Sequence, residues 1–303
     1  MKSLAESLRG EFVVVNLGAA SDRDYDLPAH LRAATTLIEV DAAKSSETAT
    51  SYFAKHALTS AVAGNTETRT FRLNKFSACS SLLEPRADLI ELYGLEKYYE
   101  IASSSAVQCN RLPDLLAERN ISSIDFLKTD LEGLDFEVIK SCESLLPGVL
   151  ALQCELRFQP FYVGEPFFHE VVAYLADRHF SLIALTPEYW KPKTPNRKQH
   201  KDGRLIWADC LFMRHPDTVT TPLAQAKQVI LASMSGRRSY AEYLLGVYKT
   251  RRLPKEWLPE LNPLVVPRSI RPNIRNTWAW AVLRRMRNAL VTQEFTSEHL
   301  AER

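Results

Sequence analysis

FVVVNLGAA, residues 12–20, is a continuous apolar, β-branched run that ends in small residues. A strand buried on both faces reads this way, and such strands belong to parallel sheets covered by helices. Working outward, LPAHLRAA (27–34) reads as a short helix with Pro28 suited to its first turn. TTLIEVDA (35–42) is a second strand, ALTSAVAG (57–64) a third, and RTFRLNKF (69–76) a strand in a hairpin excursion. RLPDLLAERN (111–120) is helical and SSIDFLKTD (122–130) is another buried strand. Leu134, Val138, Ile139, Cys142, Leu145 and Leu146 then fall at helical spacing before VLALQCELRF (149–158), the fifth main strand. Phe167, Phe168, Val171, Val172 and Leu175 make the stripe of a further helix. SLIAL (181–185) and RLIWADCLFM (204–213) follow with only a long polar loop between them, so they pair antiparallel. The expected fold is α/β, a doubly wound, Rossmann-like, mostly parallel sheet whose last strand is antiparallel.

Composition sets the outer limits. The chain has 303 residues, 46% of them hydrophobic and 24% charged, which excludes fibrous and wholly disordered classes. No stretch approaches the roughly 18 uninterrupted apolar residues of a membrane span. Glu6 stands where a secretory signal would need its apolar segment, which argues against such a signal. The five cysteines (Cys79, Cys109, Cys142, Cys154, Cys210) are scattered without CxxC spacing, so reduced thiols and a cytoplasmic location are expected. The net charge of +2 is an average of unlike parts. Residues 1–217 carry 24 basic and 30 acidic groups, whereas residues 218–303 carry 14 and 6. A boundary is therefore expected near Pro216, separating domain 1–217 from a basic, mostly helical extension, 218–303.

Ligands of doubly wound sheets sit beyond the carboxyl ends of the strands. That rule selects Asn16 to Ser21, Glu39 to Asp41, Ser60 to Val62, Asp130 to Asp135 and Glu155 to Arg157. Gly18, Ala19 and Ala20 offer close backbone approach, although the segment is not GxGxxG and a plain tight turn reads equally well. Glu39 ends the second strand about 20 residues on, where a carboxylate accepts hydrogen bonds from ribose hydroxyls and repels a 2′-phosphate. The ligand should then be adenosine-like rather than NADP. KTDLEGLD (128–135) gathers one lysine and three acids that could fix a ligand amine, chelate a metal or supply a general base. Helix capping explains one or two of the acids. It does not explain Lys128 in an apolar strand, which calls for a buried carboxylate partner and is grouped with the cofactor-binding residues. Glu155 should lie within reach of Asp130. Asp209, in a strand apolar on both faces, should be paired or functional. His169 reads first as a cap or surface histidine and only in reserve as a base.

FVVVNLGAA, LIEVDA, CSSLLEP, IDFLKTDLEG, LQCELRFQPFYVGEPFFHEVVAYLADRHF and GRLIWADCLF occur in this order. That order resembles FkbM-type methyltransferases over roughly residues 10–215, with IDFLKTDLEG similar to the family's K-x-D-x-E-G. The resemblance implies a class I methyltransferase fold with a seven-stranded sheet, S-adenosylmethionine as cofactor, and O-methylation of a saccharide, glycan or related metabolite. It implies that Asn16, Gly18, Ala19 and Ala20 lie under the donor's methionine moiety and that Glu39 holds its ribose. Val40 and Asp41, with the turn at Ser60 and Ala61, would flank the adenine. Asp130 would face the donor's amino-acid end or the acceptor. Asp130, Glu132 or Glu155 would take the hydroxyl proton, with His169 behind them. No metal is expected as the leading case; the alternative is a divalent ion on Asp130, Glu155 and Asp209. The family's usual D-x-G-A-N-x-G turn reads here Asn16-Leu17-Gly18-Ala19-Ala20-Ser21-Asp22. This departure keeps open a catalytically inactive glycan-binding or scaffold protein on the same fold.

The basic extension ends in NTWAWAVLRRMRNALV, where Ala279, Leu283, Met286 and Leu290 form one stripe, with Arg284 and Arg287 on another face beside Trp280. A helix docking on the main domain or on a second subunit, giving a homodimer, is the first expectation. Peripheral contact of 278–291 with the inner membrane face is the second. Nucleic acid is not an expected partner, since no aromatic platform or known motif is present.

Overall fold

Among the described residues the chain forms ten strands. They are β1 (Phe12–Leu17), β2 (Thr35–Asp41), β3 (Ala54–Thr59), β4 (Ala61–Val62), β5 (Glu67–Asn74), β6 (Ile101–Asn110), β7 (Phe126–Lys128), β8 (Ala151–Arg157), β9 (Phe180–Trp190) and β10 (Arg204–Arg214). The computed structural model describes residues 2–18, 25–42, 51–196, 198, 202–251 and 253–266. Seven strands form the main sheet in the order β3-β2-β1-β7-β8-β10-β9. Its pairings are parallel except that β10 runs antiparallel to both β8 and β9. The Rossmann-like methyltransferase architecture expected from the sequence is therefore present. The strand order reverses between β1 and β7, so their carboxyl ends flank the crevice where ligands of such sheets bind.

Among the described residues the helices are α1 (Leu4–Leu8), α2 (Ala29–Arg32), α3 (Ala87–Tyr93), α4 (Leu112–Ala117), α5 (Asp135–Ser141), α6 (Phe168–Ala176), α7 (Pro222–Met234), α8 (Arg238–Thr250) and α9 (Leu258–Val265). One face of the sheet, through Val13, Val15, Ile38, Val40, Leu127 and Leu152, packs on Leu112 and Leu116 of α4, Val138 and Ile139 of α5, and Val171 and Leu175 of α6. The other face, through Val14, Leu37, Phe126 and Ala151, packs on α1, α2 and the three C-terminal helices. Alternate residues of each strand serve the two faces, as the pleat requires.

The charge break near Pro216 is not a boundary of the compact unit, which runs to Val265. Every residue of α7 from Gln225 to Met234 is buried. Lys227 of α7 reaches the sheet, where its Nζ lies 2.9 Å from Oδ1 of Asp125, whose Oδ2 accepts from Val13 N at 2.9 Å. Glu260 of α9 accepts from the backbone N–H groups of Leu4 and Ala5 at the start of α1. Charge composition describes surfaces, whereas burial decides what folds together, and residues 218–265 fold with the sheet. The stripe at 278–291, with Trp280, Arg284 and Arg287, lies outside the described residues. No described helix is long and apolar enough to cross a membrane.

The third strand expected at 57–64 is two strands, broken at Ser60 where the chain leaves the main sheet. The excursion holds a three-stranded sheet, β4-β6-β5, whose β6 has no counterpart in the apolar pattern. Its sequence, IASSSAVQCN, is mostly exposed, so burial imposed no alternation on it. Leu89, Ile90, Tyr93, Leu95, Tyr99, Phe161, Tyr162 and Ile206 form a third apolar cluster, with Trp207 packed against it.

Candidate functional site

At the carboxyl ends of the central strands a row of polar side chains replaces the apolar ones. Parallel register aligns Glu39 with Asn16, Asn16 with Lys128, and Lys128 with Gln153. All four therefore share the face that, two residues earlier, carries Leu37, Val14, Phe126 and Ala151. Asn16 is 3% exposed and Glu39 is 4% exposed. Oδ1 of Asn16 and Oε2 of Glu39 are enclosed and accept no hydrogen bond. Oε2 of Glu39 does lie 3.0 Å from Lys55 Nζ, an ion contact without hydrogen-bonding angles. A buried acceptor left unmatched costs roughly 1–3 kcal/mol, so two side by side mark a place that a donor-bearing ligand would complete.

Gly18 follows with φ of +72°. A Cβ there would stand 2.0 Å from the Asp130 carbonyl oxygen, so only glycine lets the first turn lie against the end of β7. Its N–H donates to the Val40 carbonyl at 3.0 Å, while the Val40 side chain is core. Ser60 N donates to the Asp41 carbonyl at 3.1 Å. Ser60 Oγ accepts from Asn110 Nδ2 at 3.0 Å, and Ala61 is registered with Cys109 in the small sheet. Ala19 and Ala20 lie outside the described residues.

Asp130, Glu132 and Glu155 converge, each offering an oxygen within 4.8 Å of the others. Glu132 and Gly133 take left-handed backbone angles, φ of +48° and +95°, that turn the chain from β7 into α5. Such a conformation in a glutamate persists only where its surroundings hold it. Here Ser81 Oγ donates to the Glu132 carbonyl at 2.8 Å and Arg157 Nη2 donates to Glu132 Oε2 at 3.0 Å. Tyr162 Oη lies 2.9 Å from Glu132 Oε2 and 3.1 Å from the Cys79 carbonyl. Its single proton can serve either oxygen, so Glu132 is satisfied both ionised and protonated.

Arg157, 4% exposed, is the hub. Its Nη2 is also 2.8 Å from Glu155 Oε1 and its Nε donates to Glu165 Oε1 at 3.0 Å. Glu165 Oε2 in turn accepts from the N–H groups of Phe161 and Tyr162. The guanidinium lies over the Trp207 ring at 5.1 Å. Three glutamates thus share one buried cation, and the balance is met by retaining protons. Burial, opposed by Arg157 and assisted by Asp130, pushes the Glu132 carboxyl up to about 7. Burial, again opposed by Arg157, pushes Glu155 well above the carboxylate range. Asp135, at the start of α5, is pushed up to about 6 by burial, with the Thr129 hydroxyl opposing. The Cys79 thiol is pushed up to about 12, chiefly by burial and then by Glu132, which leaves it inert.

Two sequence expectations change here. The partner of Lys128 is Asp130 at 3.4 Å, but that carboxylate is 43% exposed rather than buried. Asp209 is exposed on β10 and registered with Glu155, yet it is not among the converging oxygens. Glu132 takes its place in any metal-competent set, three hard oxygen donors of the kind that suits Mg²⁺ or Ca²⁺. His169 is exposed at the start of α6 with its ring against Phe167, outside the carboxylate centre. Tyr162, Glu165 and Lys55 were absent from the candidate residues, and Arg157 entered only as the end of a strand. The signal available for Arg157 was its i,i+2 spacing from Glu155, which puts both charges on one strand face.

A model of the methyltransferase FkbM domain matches residues 13–182, which include every residue of this centre. No curated protein and no solved structure matches the chain.

Proposed function

The chain belongs to the FkbM methyltransferase family, and from that premise we propose that it moves a methyl group from S-adenosylmethionine to a hydroxyl of a saccharide, glycan or related metabolite. The contact of Gly18 with Asp130 carries this reading, because it sets the first turn directly against the carboxylate centre. The residues present fit the donor. The unmatched acceptors of Asn16 and Glu39 suit its hydroxyl and amino hydrogens, and Gly18 leaves room for no side chain between the two halves of the site. Asp41, Ser60 and Ala61 would line the base beyond Glu39, and Lys128 would stand beside the amino-acid end. Bound there, S-adenosylmethionine supplies an electrophilic methyl group on a sulfonium.

The chain's own residues then have two tasks. One is to hold the acceptor oxygen in line with the methyl carbon, where alignment lowers the barrier most. The other is to receive the hydroxyl proton. Glu132 suits the second task, since burial brings its carboxyl to about 7 and Tyr162 satisfies either protonation state. Asp130, more open to solvent, is placed to meet the acceptor, while Arg157 and Glu165 hold the geometry.

Thermal shift and titration calorimetry with S-adenosylmethionine, S-adenosylhomocysteine and NAD test the donor. Selective stabilisation by the first two is expected, and a response to NAD alone would refute the reading. Release of S-adenosylhomocysteine in the presence of saccharide acceptors tests the transfer. The altered turn Asn16-Leu17-Gly18-Ala19-Ala20-Ser21-Asp22 favours a second reading, a binding protein without turnover, which donor binding with no release would support.

A further inference from the structure

Glu39 ends β2 almost entirely out of water, and its counter-charge comes from the neighbouring strand. β3 runs parallel to β2 with Ala57 registered to Glu39, so Lys55, two residues earlier, shares Glu39's face. Its ammonium reaches to 3.0 Å from Glu39 Oε2, and the two side chains are only 8% and 5% exposed. A carboxylate buried this deeply calls for a cation beside it. Lys55 meets that need without using the acceptor, because Oε2 still receives no hydrogen bond. Asn16, registered with Glu39 on the other side, adds a second unmatched oxygen and no charge.

We propose that Lys55 is a positioning residue for the methyl donor. It holds Glu39 as a hydrogen-bond-ready acceptor for the donor's ribose diol without itself being required to touch the donor. The proposal rests on the S-adenosylmethionine reading above. It goes beyond that reading by making donor affinity depend on a residue of β3 that acts through Glu39.

The test is a double-mutant cycle on S-adenosylhomocysteine affinity, measured by titration calorimetry with the full chain. Lys55→Met should weaken binding on the order of tenfold, within the range found for coupled contacting residues. Lys55→Arg should restore most of it, because the charge returns. In a Glu39→Gln background the further change Lys55→Met should alter affinity by less than about twofold, since a neutral amide needs no counter-charge. Lys55→Gln takes the place of Lys55→Met in the same cycle if the methionine variant does not fold. Wild-type affinity in the single variant would overturn the proposal. So would an equal loss in both backgrounds, which marks a merely structural role. A wild-type chain that binds no S-adenosylhomocysteine would remove the donor reading and this proposal with it; the other two outcomes remove the proposal alone.

Discussion

If Glu132 receives the acceptor's proton, activity should follow its ionisation. Glu132 and Glu155 share Arg157, so the inflection belongs to the pair, in which burial pushes the Glu132 carboxyl up to about 7. An acid with that midpoint is ionised to roughly a tenth at pH 6 and roughly nine-tenths at pH 8. kcat/KM should therefore rise about tenfold across that interval and level off above it. Glu132→Gln keeps an oxygen for Tyr162 and Arg157 but cannot accept the proton, so turnover should fall by about 10²–10⁴-fold. The remaining activity should lose its pH limb, and S-adenosylhomocysteine should bind as before. The assay is release of S-adenosylhomocysteine at fixed ionic strength from pH 5.5 to 9, with calorimetric donor affinity alongside. A flat profile between pH 6 and 8, or a glutamine variant within about threefold of wild type, would refute the reasoning. Stability gives an independent check of sign. The folded-state values of Glu132 and Asp135 lie above their ordinary ones, so the native chain binds protons more tightly than the unfolded chain. Their stabilising contribution is complete below about pH 4 and is lost as pH rises through about 6 and about 7. Glu132→Gln should flatten the upper part of that decline in urea unfolding.

Gly18→Ala forces a Cβ to 2.0 Å from the Asp130 carbonyl at φ of +72°. The left-handed strain costs about 1–2 kcal/mol, seen as a lower unfolding midpoint. A displacement of about 1 Å at Asp130 should cut turnover roughly 10²-fold, and near-normal turnover would show that the two turns are not coupled. Lys227→Met leaves the buried Asp125 without its cation, so urea unfolding should show a loss of about 3–5 kcal/mol, partly recovered by adding Asp125→Leu. A loss under about 1 kcal/mol would mean that α7 is not anchored through this pair. Asp130→Asn and Glu155→Gln should each lower turnover while donor affinity stays within a few-fold. Full activity in both variants would remove the carboxylate centre from the reaction.

Much of the fold is legible because periodicity records burial. FVVVNL and FLK are buried on both faces and lie at the middle of the main sheet, whereas β6 is mostly exposed and carries no such record. The candidate site is legible in part for a related reason. Asp130, Glu132 and Glu155 stand at strand ends, where a doubly wound sheet places its chemistry. Asp209 reads as buried from its apolar neighbours, yet β10 opens to solvent at that residue.

By itself the sequence determined the sheet, its antiparallel last strand, the glycine at the first turn and the family to which the chain belongs. These follow from local patterns, from the period of two along a strand to the residue types at its end. Tertiary structure alone decided which charges meet. Arg157 finds Glu165 eight residues away and Glu132 twenty-five away, Lys55 finds Glu39 across a strand pair, and Lys227 finds Asp125 across 102 residues. Such pairings depend on the distances and the exclusion of water that the packed chain creates. The same exclusion brings the Glu132 carboxyl to about 7. It also draws the basic residues of 218–265 into one unit with an acidic sheet, where their charge alone would have set them apart.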